Sequence, residues 1–245
     1  MQVVKFVCGY ALRAVRGHLW PAVVAPLLLV IAQSSAAQAT ESDPLERINR
    51  PLYAFNQAFD GYLVRPVAVT YNEVMPGFAK RGVSNFLDNL DDVNVIVNDL
   101  LQLKMDAALR DSCRLVLNST AGLGGLLDVA TELGLYKNNE DFGQTLGHWG
   151  VGDGGYLVVP FLGASTVRDT VGMIPDMLLN PIYWVTDSKT RSTLFAIDTV
   201  DTRIGYLAAE SMITGDEYEF VRNAYLQRRE YLVHDGEVYD EFDEF

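Results

Sequence analysis

The residue types that could carry out chemistry in this chain are few and scattered. A hydrolase would have to build its site from His148, Ser165 and acids such as Asp141 or Asp169. The signature motifs of zinc proteases, disulfide oxidoreductases, serine hydrolases and P-loop nucleotide-binding proteins do not occur in the sequence. With no motif to support catalysis, we predict that the protein is not an enzyme.

The sequence also lacks a recognisable cofactor site. Residues 150–155 match the dinucleotide-binding pattern G-x-G-x-x-G, but no strand precedes them and Pro160 interrupts the helix that should follow. Cys113, His148 and His234 cannot supply the three nitrogen or sulfur ligands of a usual zinc site together with a motif. We expect no metal or organic cofactor, and we expect Cys113 to act as a small buried apolar residue.

The amino terminus has the layout of a secretory signal. Residues 1–39 contain basic residues and no acid, an apolar run from Leu19 to Ile31, and Ala-Gln-Ala at 37–39. That run is shorter than the roughly 20 residues of a spanning helix. We predict a cleavable signal peptide over 1–39 and a mature chain that begins near Thr40. Since no cysteine follows the apolar run, we predict no acyl chain there.

Composition and charge exclude some partners. The 245 residues are 49% apolar and 21% charged, which is typical of a globular domain. Removal of the basic leader would leave a net charge near −16. Nucleic acid binding is therefore not expected, because contact with phosphates requires a basic surface. Residues 235–245 carry six acids and no base, and we expect the end of the chain (236–245) to be an acidic, flexible tail.

The secondary structure that must position the polar and charged residues is predicted to be mainly helical. Leu45, Ile48, Leu52, Phe55 and Phe59 recur at steps of three and four, as on one face of an amphipathic helix. Asp43 and Glu46 suit the start of that helix, while Pro51 should kink or interrupt it. Further helices are predicted over 66–74, about 83–103, 104–117, 188–212 and 216–234, and the best strand candidate is 156–159. The fold class is therefore mainly α.

Two segments depart from ordinary helical packing. The stretch 143–163 contains seven glycines interleaved with large apolar residues, so it is too apolar for a solvated linker and too rich in glycine for a stable helix. The segment 173–184 contains two prolines and an asparagine, which suggests a helical hairpin. Its Tyr183 and Trp184 suit a membrane interface, although packing in a core explains such aromatics equally well.

Several short motifs occur in a fixed order along the chain. They are DPLERINR at 43–50, FN at 55–56, RPVA at 65–68, GVSNF at 82–86, NST at 118–120, GLGG at 122–125, DFGQTLG at 141–147 and YLQRREY at 225–231. Together they cover roughly 43–235, nearly the whole predicted mature chain. In these motifs the sequence resembles the VacJ/MlaA family of outer-membrane phospholipid-asymmetry proteins.

The resemblance implies a single helical ring-like domain with an amphipathic central channel, formed by 40–235. Such a protein would lie on the periplasmic side of the outer membrane beside a trimeric porin. It would pass misplaced outer-leaflet phospholipids to a soluble periplasmic carrier that feeds an inner-membrane ABC transporter complex. The glycine-rich segment and the 173–184 hairpin are the parts we assign to the channel and its rim.

On this interpretation, the channel contains a polar lane, a path of polar side chains for the lipid headgroup. It is lined by Arg168, Asp169 and Asp176. The remaining predicted site residues form its apolar rim: Met173, Ile174, Met177, Leu178, Leu179, Ile182, Tyr183 and Trp184. Helix capping and surface ion pairs are an alternative explanation for the three polar residues.

The chain departs from the family pattern in one respect that bears on location: family members are commonly lipoproteins, and no lipidation cysteine is evident here. A soluble periplasmic lipid-binding or scaffolding module is the second hypothesis. A lipid hydrolase is the third.

Overall fold

The computed structural model describes residues 43–236, so the predicted signal peptide and the acidic tail beyond Gly236 lie outside the described residues. The mainly α class is confirmed. The helices are α1 (Glu46–Phe59), α2 (Arg65–Val74), α3 (Gly77–Leu101), α4 (Met105–Thr120), α5 (Val129–Glu132), α6 (Phe142–His148), α7 (Val167–Leu179), α8 (Ser188–Leu207) and α9 (Glu217–Val233). Strands β1 (Tyr156–Val159) and β2 (Gly163–Thr166) form an antiparallel hairpin between α6 and α7.

Helix α1 runs through Pro51, so of the kink or interruption predicted there the interruption was wrong. A proline inside a helix removes one backbone hydrogen bond, and the rest of the ladder continues on both sides. Leu45, rather than Asp43, is the N-cap residue, and the Asp43 carboxylate accepts a hydrogen bond from the Leu45 backbone N–H at 2.9 Å. A π-helical turn, Asp60–Val64, connects α1 directly to α2.

The β-hairpin is held to α1 by Asn49. The Asn49 side chain is fully buried, donates to the carbonyl of Tyr156 at 2.9 Å and accepts from the N–H of Val158 at 3.0 Å. Tyr156 and Val158 pack with Tyr218 of α9 in a small apolar cluster. The glycine-rich stretch 143–163, predicted to be too rich in glycine for a stable helix, contains most of α6 and the whole of β1.

The segment 173–184, predicted as a helical hairpin, consists of the second half of α7 followed by a single 3-10 turn, Pro181–Trp184. Pro175 lies inside α7 without ending it. Asn180 ends the helix with an extended backbone, and its side chain accepts from the Ile182 N–H at 2.9 Å. The second arm of the predicted hairpin is thus one turn long.

Cys113 is exposed on α4, so its predicted burial was wrong. Its neighbours Asp111 and Arg114 occupy the buried face of that helix instead. The helix thus turns charged residues inward and leaves the thiol at the surface.

Candidate functional site

The described part of the chain has an inverted distribution of polarity. Its buried residues comprise 18 polar or charged side chains against 11 apolar ones, while 30 large apolar side chains are exposed. Single exposed apolar residues are normal on soluble proteins, but a predominantly polar interior is not. Among 43–236, no helix is both long enough and apolar enough to span a bilayer. The polar interior is the candidate functional site.

Helix α3 contributes a row of amides to this interior. Asn94, Asn98 and Gln102, the residue that follows the end of the helix, lie four residues apart and are all buried, so they line up along one face. Asn98 donates to Asn94 Oδ1 at 3.1 Å, and Thr145 Oγ1 donates to Asn98 Oδ1 at 2.8 Å. Gln102 donates to Glu140 Oε2 at 2.8 Å. The inward face of α3 is thus polar, where a soluble helix would be apolar.

A second part of the interior is an ion network that joins α6, α7 and α9. Arg229 makes two hydrogen bonds to Asp141, at 2.5 and 2.9 Å, and a third to Asp169 at 2.8 Å. Asp169 also accepts from Arg168 at 3.1 Å and from the Tyr225 hydroxyl at 2.7 Å. Burial would raise the pKa of Asp169, but Arg229, Tyr225 and Arg168 outweigh it and hold that pKa below its usual value.

Glycine is required where α6 and α7 enclose this network. A Cβ on Gly143 would lie 2.5 Å from Asp169 Oδ1 and 2.7 Å from Arg229 Nη2, and a Cβ on Gly172 would lie 2.6 Å from the Gly143 nitrogen. All three distances are shorter than any normal contact with a Cβ. The two glycines therefore permit the helices to approach closely enough for the ion pairs to form.

A third group of charges lies between α3 and α4. Asp99 and Asp111 are both fully buried, and Arg114 is 2% exposed. Burial, followed by the charge of Asp111, raises the pKa of Asp99 to about 7. Burial also raises the pKa of Asp92, to about 6. Burial also raises the pKa of Asp111, so the charged form of this carboxyl pair is disfavoured in the folded protein.

Two of the three predicted lane residues are buried in the polar interior, and the third, Asp176, is half-buried. Arg168 and Asp169 are 5% and 6% exposed and belong to the ion network of Arg229. Asp176 accepts from the Phe142 backbone N–H at 3.0 Å, and its pKa is raised to about 6 by burial and by the charge of Asp141. These contacts are ion pairs and hydrogen bonds within α7 and from α7 to α6 and α9.

The predicted rim residues are divided between the surface and the interior. Trp184 and Leu178 are 65% and 67% exposed, and the indole N–H of Trp184 donates to the Leu178 carbonyl at 2.8 Å. Ile182 is only 3% exposed, so it is part of the interior and not of the surface. Ile174 and Met177 are exposed, while Met173, Leu179 and Tyr183 are half-buried.

The chemistry available to this interior is recognition of polar groups. The Ser165 hydroxyl is fully buried and lies 2.9 Å from the Thr170 hydroxyl, while His148 is exposed. Within 43–236, no group of three or more His, Cys, Asp or Glu side chains is placed to hold a metal ion. Fixed charges and amides behind an apolar surface suit a ligand with a polar end and an apolar end.

Sequence reasoning missed Arg229, Asp141 as its partner, and the amide row of α3. The amide row had a visible signal, because polar residues recur at helical spacing along 92–102 in an otherwise apolar segment. The pairing of Arg229 with Asp141 had no such signal, since 88 residues separate the two positions.

Comparison with known proteins identifies the same family as the sequence motifs. A family model described as MlaA lipoprotein matches residues 41–232. The intermembrane phospholipid transport system lipoprotein MlaA of Escherichia coli (strain K12) is 36% identical over 218 residues, which cover 86% of each chain. The protein of the same name from Haemophilus influenzae is 29% identical over 230 residues, covering 88% of this chain and 92% of the relative.

A similar fold also occurs among solved structures. A chain from the structure described as "Structural basis for maintenance of bacterial outer membrane lipid asymmetry" superposes with a TM-score of 0.70 and 34% sequence identity. The match covers 79% of this chain and 100% of that chain.

Proposed function

Because the chain belongs to the MlaA family, we propose that it removes mislocalised phospholipids from the outer leaflet of the bacterial outer membrane. It passes them through an amphipathic channel to a soluble periplasmic carrier, which feeds an inner-membrane ABC transporter complex. This activity maintains the lipid asymmetry of the outer membrane without chemical change to the lipid. The named relatives from Escherichia coli and Haemophilus influenzae belong to an intermembrane phospholipid transport system, which supports the proposal.

The observation that carries this proposal is the inverted polarity. A phospholipid headgroup that leaves water loses several kcal/mol unless polar groups replace the water, and the buried charges and amides supply such groups. The exposed apolar side chains fit hydrocarbon: Tyr62, Val74, Phe78 and Leu103 are 74% to 88% exposed. Each large apolar side chain that moves from water into lipid contributes about 1.5–3 kcal/mol.

The proposed location is the periplasmic side of the outer membrane, beside a trimeric porin. A cleaved signal peptide would export the chain. Attachment would come from the exposed apolar surface and the porin, rather than from an acyl chain. The notable features of this surface are runs of adjacent exposed side chains, such as Leu123, Leu126 and Leu127.

The test is fractionation of the processed full chain together with a lipid assay in cells. The protein should sediment with outer membranes after signal cleavage. Cells that lack it should accumulate phospholipid in the outer leaflet and become sensitive to detergents. A processed protein that remains in the soluble periplasmic fraction would support the soluble lipid-binding or scaffolding module instead. Turnover of radiolabelled phospholipid by the purified chain would support the hydrolase.

A further inference from the structure

The glycine-rich segment 150–155 matches a dinucleotide-binding pattern but forms the loop that leads from α6 to β1, the reverse of the strand-to-helix order that the pattern requires. Residues 150–154 are exposed, and Gly150 and Gly154 adopt positive φ angles of 86° and 70°. A Cβ on Gly154 would lie 2.9 Å from the Cβ of Val167. Glycine therefore allows this exposed loop to pass close to the start of α7.

The loop carries backbone donors that no protein acceptor uses. The N–H groups of residues 152–154 donate to no backbone or side-chain acceptor within 43–236. By contrast, the N–H groups of Gly150 and Val151 bond to carbonyls at the end of α6, at 2.8 and 2.9 Å. Successive free N–H groups in a glycine-rich loop are a common protein site for phosphate, because no large side chain keeps an anion from the backbone.

A cation lies directly against this loop. The Arg168 guanidinium contacts the Asp153 carboxylate, and the Arg168 backbone N–H donates to the Asp153 carbonyl at 3.1 Å. The Arg168 side chain is only 4% exposed, whereas the Asp153 side chain is 47% exposed and so reaches the solvent. The position beside Arg168 Nη1 already holds a carboxylate oxygen. An oxygen of another anion therefore fits there once the Asp153 side chain turns outward, with no movement of the backbone.

The charges around Arg168 indicate that Asp153 is the replaceable partner. Arg168 and Arg229 supply two positive charges to the ion network. Asp141 and Asp169 supply two negative charges, so the network is balanced without Asp153. Asp153 is also the most exposed of the three carboxylates, at 47% against 35% and 6%. Since an ion pair with an exposed partner contributes only about 0.2–1 kcal/mol, another anion can compete with it.

We propose that Arg168 and the loop 150–155 bind a phosphate group, whose place the Asp153 carboxylate takes in this structure. One phosphate oxygen binds Arg168 Nη1, and a second accepts hydrogen bonds from N–H groups of the loop. The return of the Asp153 carboxylate displaces the phosphate, which keeps binding reversible, as transport requires. A phospholipid headgroup and free phosphate share this chemistry, and the choice of the lipid rests on the proposed function.

The experiment follows binding to the processed full chain in a maltoside detergent, whose uncharged head carries no phosphate. Dihexanoylphosphatidylcholine and inorganic phosphate are titrated separately while the amide NMR signals of 152–154 are recorded. The lipid should shift these signals saturably, and at a lower concentration than inorganic phosphate does. Signals that do not respond to the lipid would overturn the site. Inorganic phosphate that binds as tightly as the lipid would overturn the lipid source.

Two matched variants test the competition by Asp153. Asp153→Asn should raise the affinity for the lipid about fivefold, the equivalent of an ion pair of about 1 kcal/mol. Glu132→Gln removes the same charge from an exposed position on α5 and should leave the affinity unchanged. The absence of a gain in Asp153→Asn, or an equal gain in both variants, would refute the proposal.

A third substitution tests the cation. Arg168→Lys, added to Asp153→Asn, keeps a positive charge near Asp169 but loses the forked guanidinium, so the gain in affinity should disappear. Circular dichroism establishes whether this double variant is folded. A folded double variant that retains the gain would contradict the role of Arg168. If the double variant does not fold, the NMR titration and the comparison of Asp153→Asn with Glu132→Gln still decide the proposal.

These failures differ from failure of the proposed function. A chain that fractionates with outer membranes and maintains the lipid barrier, but whose loop signals do not respond to the lipid, would disprove only this phosphate site. A chain that stays in the soluble periplasmic fraction while its loop binds the lipid would disprove the conduit and leave the site standing.

Discussion

The buried carboxyl pair between α3 and α4 should make the fold less stable as the pH rises. Asp99 and Asp111 are fully buried, and burial together with the neighbouring charge raises the pKa of Asp99 to about 7. The folded protein therefore holds a proton that the unfolded chain releases near pH 4. Replacing Asp99 by Asn removes this titration and keeps a side chain that can donate to Asp111.

The size and sign of the effect follow from linkage. A pKa raised in the folded state gives a contribution that is complete below the unfolded value of 3.8 and is lost as the pH rises through about 7. The shift corresponds to at most on the order of 4 kcal/mol, at 1.36 kcal/mol per pKa unit. Asp111, whose pKa is also raised by burial, and Asp92 and Asp176, whose pKa values are about 6, should leave a smaller dependence of stability on pH in the variant.

The assay is unfolding in neutral detergent at a series of pH values between about 2 and 8, followed by circular dichroism. Asp99→Asn should be less sensitive to pH than the parent protein and at least as stable above the raised pKa. Asp169→Asn is the contrasting variant, because the lowered pKa of Asp169 stabilises the fold above its unfolded value and that contribution is lost as the pH falls. If the free energy of unfolding of Asp99→Asn changes with pH as steeply as that of the parent protein, the reasoning is refuted.

Three further predictions concern the ion network and the surface. Replacing Arg229 by Gln should lower the free energy of unfolding by about 3 kcal/mol, because the buried Asp169 carboxylate and the half-buried Asp141 carboxylate lose a partner, whereas exposed Arg228→Gln should change it by less than about 0.5 kcal/mol in denaturant titrations. Leu178→Asp should reduce membrane partitioning at unchanged helical content, since a charge in hydrocarbon costs about 2–3 kcal/mol; full partitioning would place Leu178 away from lipid. Gly143→Ala should lower the melting temperature, because its Cβ would lie 2.5 Å from Asp169 Oδ1, and an unchanged melting temperature would contradict that account.

The helices were predictable because their apolar residues repeat at the helical period. Helix α8 was predicted from 188 and begins at Ser188, and α9 was predicted from 216 and begins at Glu217. The start of α3 at Gly77 was missed by six residues, since 77–82 lacks a clear apolar repeat. Strand β2, with the sequence Gly-Ala-Ser-Thr, was not predicted because it forms only by pairing with β1.

The sequence by itself determined the helical class and the motifs of the family, because both depend on neighbouring residues and on their order along the chain. Only the tertiary structure decided which faces point inward. The row of Asn94, Asn98 and Gln102 has the same spacing whether it faces water or a protein interior. Arg229 meets Asp169 across 60 residues, and an ion pair over that distance depends on how whole helices pack. A pattern shows that a face is polar, whereas its burial follows from the free energy of the complete fold and its surroundings.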